Sequence, residues 1–171
     1  MATQTATGQD AARGHRRRGR MAGLWFDDFA VGMTFDHPWT RTITETDNRW
    51  FSLLTMNPQP LHIDAHAAAQ TEFGRPIVNS LFTLGCLVGM TVNDTTLGTT
   101  VANLGMTDVN FPHPLFEGDT IHVTTEVVAL RPSASRPGQG IVTFRHRCFN
   151  QEDKLCAVCD RAALMKGRPA A

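Results

Sequence analysis

The sequence predicts an α+β fold in which a curved antiparallel sheet wraps around one long apolar helix. Two observations lead to this prediction. The segment from 78 to about 92 is apolar on nearly every side, which is typical of a helix that is buried all round. The segments after it alternate between apolar and polar residues in strand-length pieces. The length of 171 residues suits a single domain, which we place at residues 21–171.

Before the central helix, local signals predict one strand and one helix. Residues 34–43 are rich in β-forming side chains and predict a strand that Pro38 interrupts. Thr44 and Asp47 form the pattern of a capping box, so a helix is expected over residues 45–56. Its apolar stripe is expected to face the core and consists of Trp50, Phe51, Leu53 and Leu54.

A polar loop and a second helix come next. Neither proline of the run Asn-Pro-Gln-Pro at residues 57–60 can continue the preceding helix. Asp64 is the expected N-cap of a short alanine-rich helix that extends to Thr71. Four strands are expected after the central helix, separated by turn-forming stretches. The predicted strands are residues 99–111, 119–130, 141–150 and 155–165.

Composition and charge exclude two classes of protein. The chain is 42% hydrophobic and has no apolar run near the roughly 20 residues of a membrane span, so a soluble, cytoplasmic protein is expected. Residues 1–20 have a net charge of +4 and no Leu, Ile, Val, Phe or Trp, and they are expected to form a disordered basic leader. Residues 21–171 have a net charge of −4, which argues against nucleic-acid binding by the folded part.

Four cysteines raise the question of a metal or redox site. Only Cys156 and Cys159 form a CxxC pair, and a strand would point positions three apart to opposite faces. We therefore expect the cysteines to pack in the core, with no metal and no disulfide framework, as in a reducing compartment. The sequence has no glycine-rich phosphate loop, so no nucleotide cofactor is expected.

The densest polar cluster lies at residues 57–66, and its candidate catalytic side chain is His62. The prolines restrict this loop, which favours a fixed position for a catalytic group. From spacing alone, a histidine satisfied by a backbone carbonyl is the more common alternative. His62 and His66 are a weak zinc pair, because the N-cap at Asp64 places His62 before the helix begins. A second candidate feature is the start of the central helix, whose unpaired N–H groups could polarise an oxygen.

Two segments together resemble a known family. Residues 57–62, Asn-Pro-Gln-Pro-Leu-His, are similar to the D-x-N-P-x-H motif of the MaoC-like (R)-specific enoyl-CoA hydratases. Residues 73–81, Phe-Gly-Arg-Pro-Ile-Val-Asn-Ser-Leu, fall where that family has F-G-x-x-I-A-H-G-M. The resemblance spans residues 24–166 and is strongest to the subgroup that handles mesaconyl-CoA and related branched dicarboxylic acyl-CoAs. It implies a hot-dog fold and cofactor-free hydration of an enoyl-CoA. Because a sheet of this kind leaves an edge strand and one face to cover, a homodimer or higher homo-oligomer is also expected.

The resemblance also assigns roles to residues. His62 matches the family's catalytic histidine, and Asn57 stands where the family has its catalytic aspartate. Because an amide takes no proton at neutral pH, His62 would transfer the protons and Asn57 would orient the water. Asn79 and Ser80 replace the family's His-Gly, and the backbone N–H groups of Ser80 and Leu81 would face the thioester oxygen. As side chains alone, Asn79 and Ser80 are equally typical of helix caps.

A dicarboxylic substrate would compensate for the missing aspartate. Its carboxylate near His62 would stabilise the imidazolium, and Arg75 would bind that carboxylate through two hydrogen bonds. Two alternatives stay open. One is a thioesterase in which Glu72 or Asp64 activates water. The other is an acyl-CoA-binding or regulatory subunit that has lost its catalytic aspartate at Asn57.

Overall fold

A computed structural model describes residues 23–169 of the chain. The predicted leader, residues 1–20, lies outside the described residues. The first half of the described chain holds a 3₁₀ turn, two short strands and five helices. Their bounds are Phe26–Asp28 for the turn, Thr34–Asp36 (β1), Arg41–Thr42 (β2), Glu45–Leu54 (α1), Pro60–Ile63 (α2), Ala65–Ala68 (α3), Ser80–Gly89 (α4) and Val92–Thr95 (α5). Four long strands follow, Thr100–Asn110 (β3), Thr120–Pro132 (β4), Gln139–Phe149 (β5) and Leu155–Lys166 (β6).

The sheet is antiparallel throughout, with strand order β1, β4, β5, β6, β3, and β2 also pairs with β4. The four long strands agree with the predicted ones to within two residues at each end. The predicted interruption of the first strand is also confirmed, because β1 and β2 flank Pro38. Irregular pairing between β3 and β6 and between β4 and β5 adds local bends and twist to the sheet.

Helix α1 begins as predicted but buries a different face. The Thr44 side chain accepts a hydrogen bond from the backbone N–H of Asp47, whose carboxylate in turn accepts from the N–H of Thr44. The predicted apolar stripe is wrong for this chain, because three of its members are more than 60% exposed: Trp50, Leu53 and Leu54. The residues of α1 that are buried are Asn48 and Ser52, four positions apart and therefore on one face.

The central helix α4 is shorter than predicted and is not buried on every side. It ends at Gly89, and residues Val92–Thr95 form the separate short helix α5. Thr83 and Leu87 are buried against the sheet, whereas Leu81 is 58% exposed on the opposite side. The apolar composition of the exposed face leaves a surface that a single chain does not cover. No helix within residues 23–169 combines the length and the apolarity that a membrane crossing requires.

The prediction that the cysteines pack in the core is confirmed for three of them. Cys148, Cys156 and Cys159 are at most 1% exposed, and burial raises the pKa of their thiols to about 12, 11 and 11. The predicted separation of Cys156 and Cys159 is wrong, because both belong to one apolar cluster. The strand pairing skips Cys156, from Leu155 opposite Phe149 to Ala157 opposite Cys148, and this bulge changes the alternation.

A chain of five polar side chains crosses the inner face of the sheet. Arg161 Nε donates to His146 Nε2 at 3.1 Å, and His146 Nδ1 donates to Thr125 Oγ1 at 2.8 Å. The Thr125 hydroxyl donates to His37 Nε2 at 2.8 Å, and His37 Nδ1 donates to the Asp94 carboxylate at 2.9 Å. Each donor meets an acceptor when both imidazoles are neutral. We call these five residues the buried polar chain.

The buried polar chain lies between two apolar clusters of the core. On β4, β5 and β6 its members stand between residues of one cluster and residues of the other. One cluster contains Ile43, Val78, Leu87, Ile121, Val123 and Cys148, among others. The second contains Leu24, Phe29, Val127, Val142, Phe144, Ala163 and Met165. Both imidazoles and the Thr125 hydroxyl are fully hydrogen-bonded, which makes their burial tolerable, whereas the buried Nη2 of Arg161 has no partner within residues 23–169.

Protonation of the buried polar chain is expected to destabilise the fold. Burial, and after it the charge of Arg161, hold the pKa of His146 well below its ordinary value. As the pH falls through about 6.5, the unfolded chain binds a proton that folded His146 does not. The free energy of unfolding then falls by about 1.4 kcal/mol per pH unit for this histidine.

Urea unfolding between about pH 7.5 and about pH 5.5 measures this slope. We expect His146→Gln to remove part of the pH dependence, and His66→Gln, at an exposed histidine, to keep the wild-type slope. An unchanged slope in His146→Gln would contradict the assignment.

Candidate active site

The loop before α2 holds Asn57 in a fixed turn. The backbone N–H of Asn57 donates to the Ser52 carbonyl at 2.8 Å, at the end of α1. The Asn57 side-chain oxygen accepts from the backbone N–H of Gln59 at 3.1 Å. Pro60 occupies the first turn of α2, where its missing N–H costs nothing. The nitrogen of the Asn57 amide has no partner within residues 23–169 and is the part of the side chain left to bind a ligand.

His62 lies in α2 and its half-buried ring contacts the segment that leads into α4. Its Nδ1 donates to the carbonyl oxygen of Ile77 at 3.0 Å. The alternative of a histidine satisfied by a backbone carbonyl is therefore true of one ring nitrogen. Because Nδ1 carries the proton in this contact, Nε2 is left with a lone pair that can accept a proton. The His62 ring therefore contacts Ile77, which is three residues before the start of α4. This is the proximity that the sequence analysis predicted.

Asp64 separates two short helices. Its carboxylate accepts from the backbone N–H groups of His66 and Ala67 at 2.9 and 3.0 Å, so it is the N-cap of α3 as predicted. His62 belongs to α2 and His66 to α3, so the two histidines are not one turn apart on a common helix. Within the described part of the chain, no group of three His, Cys, Asp or Glu residues has the geometry to hold a metal.

Of the two backbone amides predicted as donors at the start of α4, the structure leaves one available. The Asn79 side chain is the N-cap and accepts from the N–H of Leu81 at 3.0 Å. The amide of Leu81 is therefore engaged by the cap. The N–H of Ser80 has no acceptor among residues 23–169, and Ser80 is exposed. Of the two predicted donors, Ser80 is the one that the structure leaves available at the positive end of the helix dipole.

Sequence analysis missed two residues that join these segments, Asn48 and Ser52 of α1. The Asn48 amide nitrogen donates to the carbonyl oxygens of His62 and Ile77, both at 3.1 Å. The Asn48 side-chain oxygen accepts from the N–H of Asn79 at 2.8 Å. Ser52 Oγ accepts from the Asn79 side-chain amide at 3.2 Å. The signal in the sequence is a pair of small polar residues at i and i+4 in a helix whose other residues include several large apolar ones.

Arg75 is exposed and stacks on an aromatic ring close to α4. Its guanidinium carbon lies 4.1 Å from the centroid of the Phe116 ring, beside the bridge that pairs Ile77 with Phe116. None of the ion pairs within residues 23–169 includes Arg75. The contact holds the guanidinium near the loop that precedes the helix while its N–H groups stay open to an anion.

Two open grooves lie between α1 and α4 on either side of the ring pair Phe51 and Phe82, whose centroids are 5.5 Å apart. The larger, of about 550 Å³, is lined mainly by apolar side chains of α1, and the smaller has a volume of about 340 Å³. Neither is lined by His62, Asn57 or Ser80, so they adjoin the candidate site without containing it. An apolar groove next to a polarising helix end suits the tail of an acyl group.

Comparison with known proteins identifies the family. Residues 28–146 match the family model described as MaoC like domain, which is more than half of the chain. The chain belongs to the MaoC-like dehydratase family. The match includes His62, the start of α4 and most of the sheet of this MaoC-like domain.

Curated relatives of this MaoC-like chain are named as hydratases and dehydratases of acyl-CoA compounds. A mesaconyl-CoA hydratase of Haloarcula marismortui is 33% identical over 126 residues, which cover 73% of this chain and 35% of the relative. A 3-hydroxybutyryl-CoA dehydratase of Methylorubrum extorquens is 32% identical over 117 residues, which cover 66% of this chain and 69% of the relative. The chain spans only 35% to 43% of the length of the mesaconyl-CoA hydratases that it matches.

A solved structure confirms the predicted hot-dog fold. A Mycobacterium tuberculosis protein described as having a double hot-dog fold matches with a TM-score of 0.80 at 25% identity. The match covers 89% of this MaoC-like chain and 47% of that protein. One copy of the present fold therefore corresponds to about half of the double hot-dog chain.

Proposed function

We propose that this MaoC-like protein catalyses the reversible hydration of an enoyl-CoA thioester without a cofactor. The observation that carries the proposal is the contact between His62 Nδ1 and the Ile77 carbonyl. This contact leaves Nε2 free to act as a base. It also holds the ring against the segment that leads to Ser80, whose N–H has no partner within residues 23–169. Family membership and the acyl-CoA names of the relatives support the same chemistry.

The reaction needs one base, one acid and one group that stabilises negative charge. His62 Nε2 removes a proton from water as its oxygen bonds to the β-carbon of the enoyl group. The electron pair of the enoyl double bond then forms a double bond between the α-carbon and the carbonyl carbon, and the carbonyl pair moves to the thioester oxygen, where the N–H of Ser80 and the helix dipole stabilise the enolate. His62 Nε2–H then gives the proton to the α-carbon, which yields the 3-hydroxyacyl-CoA and restores neutral imidazole.

Asn57 makes this site depend on a single proton carrier. Its amide nitrogen can donate a hydrogen bond to the water oxygen but cannot accept the proton. The thioesterase alternative has less support, because the Asp64 carboxylate is occupied as the cap of α3 and Glu72 is exposed with no polar contact within residues 23–169. Binding without turnover is the remaining alternative and is an outcome of the assay below.

We expect the substrate to be a dicarboxylic enoyl-CoA of the mesaconyl-CoA type. Arg75 is held on the Phe116 ring with its N–H groups available, which suits a carboxylate at the far end of a short acyl chain. That carboxylate would supply the negative charge that an aspartate at position 57 would otherwise bring. The names of several relatives agree with this substrate class.

We also propose that the protein is a homodimer in the cytoplasm. Strand β3 has one neighbour in the sheet, so an edge of 11 residues is left without a partner among the described strands. Leu104 on β3 is 51% exposed, and Leu81 on α4 is 58% exposed. A second copy that adds its own β3 to this edge would cover both surfaces. The double hot-dog relative supports a pairing of two such domains.

His62→Ala is expected to lower kcat for hydration of an enoyl-CoA by about 10²- to 10⁴-fold, because it removes the proton carrier of the proposed site. Hydration is measured by the loss of absorbance of the carbon–carbon double bond that is conjugated with the thioester. Thioesterase activity is measured by the release of free thiol. His66→Ala, at an exposed histidine, is the matched control and should keep full activity. Normal turnover by His62→Ala, thiol release by the wild type, or ligand binding with no turnover would each refute the proposed reaction.

Mesaconyl-CoA is expected to have a higher kcat/KM than crotonyl-CoA, and Arg75→Ala should reduce that preference by about 10-fold or more. The reason is the loss of a bidentate contact with the substrate carboxylate. Arg131→Ala, at an exposed arginine on β4, should leave the ratio unchanged. A wild-type preference for crotonyl-CoA would exclude the dicarboxylic substrate while leaving hydration intact.

Leu104→Lys is expected to convert the dimer to a monomer, because a charged side chain on the edge strand opposes strand addition. Light scattering coupled to size-exclusion chromatography gives the molar mass. Val31→Lys, at an exposed apolar residue in the turn before β1, at the opposite end of the strand order from β3, is the control and should remain dimeric. A monomeric wild type at micromolar concentration would contradict the proposal.

A further inference from the structure

We propose that Asn48 is a positioning residue that fixes the tautomer and the location of His62. This inference rests on the proposed role of His62 as the proton carrier. Asn48 does not touch the reacting atoms, and it acts through the backbone carbonyl that receives the imidazole proton.

The carboxamide of Asn48 is almost fully buried, with 4% of the residue exposed. It joins three parts of the chain that are distant in sequence. Its nitrogen bonds the carbonyls of His62 and Ile77, and its oxygen bonds the N–H of Asn79. All of these contacts lie between 2.8 and 3.1 Å, so both N–H donors and the oxygen of the amide are used.

The carbonyl oxygen of Ile77 is where the Asn48 amide and the His62 ring meet. It accepts from Asn48 Nδ2 at 3.1 Å and from His62 Nδ1 at 3.0 Å. Asn48 therefore holds the acceptor that keeps the proton on Nδ1, and through the His62 carbonyl it also holds the backbone of the donor. A base at Nε2 exists only while Nδ1 keeps its proton, so the contact controls the protonation pattern as well as the distance.

The same amide sets the start of α4 relative to the imidazole. The Asn79 N–H bonds the Asn48 oxygen, and Asn79 is directly followed by Ser80, whose N–H is the proposed oxyanion donor. One rigid side chain thus spans the two groups that must act on one substrate. Because a displacement of about 1 Å at a reacting centre costs about 10²-fold in rate, loss of this amide should affect kcat.

Asparagine is the side chain that fits the two carbonyls and the one N–H around it. Asn48→Asp keeps the shape and the oxygen that faces Asn79, but it places a carboxylate oxygen against the carbonyls of His62 and Ile77. Asn48→Ala removes all three contacts and leaves the two carbonyls without this donor. Asn48→Ala thus tests the loss of the side-chain donor, and Asn48→Asp tests its replacement by an acceptor.

Asn150 offers a matched control for the cost of removing a buried asparagine. It is 3% exposed, and its side-chain oxygen accepts from the backbone N–H groups of Glu152 and Lys154, both at 3.0 Å, in the turn between β5 and β6. Asn150→Ala should lower the free energy of unfolding like Asn48→Ala. It should change kcat and KM by less than about threefold, since it lies outside the site.

The experiment measures kcat, KM and the imidazole NMR spectrum of the full chain at a temperature well below unfolding of every variant. We expect kcat of Asn48→Ala and Asn48→Asp to fall by about 10²-fold with KM nearly unchanged. The ¹⁵N spectrum of wild-type His62 should show the Nδ1–H tautomer, and Asn48→Asp should shift or abolish that signature. The spectrum of Asn150→Ala should match the wild type.

Two results would overturn the inference. One is a loss of kcat in the Asn48 variants no larger than in Asn150→Ala. The other is a His62 tautomer signal that is the same in Asn48→Asp and in the wild type. If the wild type hydrates no enoyl-CoA, the proposed function fails, and the NMR comparison still decides whether Asn48 controls the imidazole.

Discussion

The geometry of the candidate site depends on the three-residue segment from Ile77 to Asn79, which is hydrogen-bonded from several sides. The N–H of Ile77 donates to the Leu61 carbonyl, and the N–H of Val78 donates to the Leu115 carbonyl. The Ile77 carbonyl and the Asn79 N–H are both bonded to α1. A segment held in this way cannot move without breaking contacts to two helices and to the connection between β3 and β4. Such rigidity lets a short loop carry a catalytic imidazole at a fixed place.

The sequence was sufficient for the long strands and for the starts of α1 and α3, whereas the short helices α2 and α5 were not predicted. Strand alternation, turn residues and the Thr44 capping box are local signals, and each of them is present in the structure. The buried faces of the helices were harder to predict, because an apolar stripe does not indicate whether this chain or another molecule covers it. In α1 the chain buries Asn48 and Ser52, and the apolar side with Trp50 is exposed.

The candidate site shows the same division between local and distant signals. His62 and the start of α4 are separated by fewer than twenty residues and carry a recognisable pattern, so their proximity was predictable. The choice between the amides of Ser80 and Leu81 was not, because it depends on which N–H the Asn79 cap takes. The role of Asn48 was also hidden, since its partners are 14 to 31 residues away along the chain.

The buried polar chain has a consequence for how the strands align. Thr125, His146 and Arg161 sit on three neighbouring strands, each flanked along its own strand by apolar residues of the core. If one strand slid by two residues, a guanidinium or an imidazole would face hydrocarbon and lose its partner, at a cost of several kcal/mol. The buried polar chain therefore disfavours alternative strand registers that the regular apolar alternation alone would tolerate.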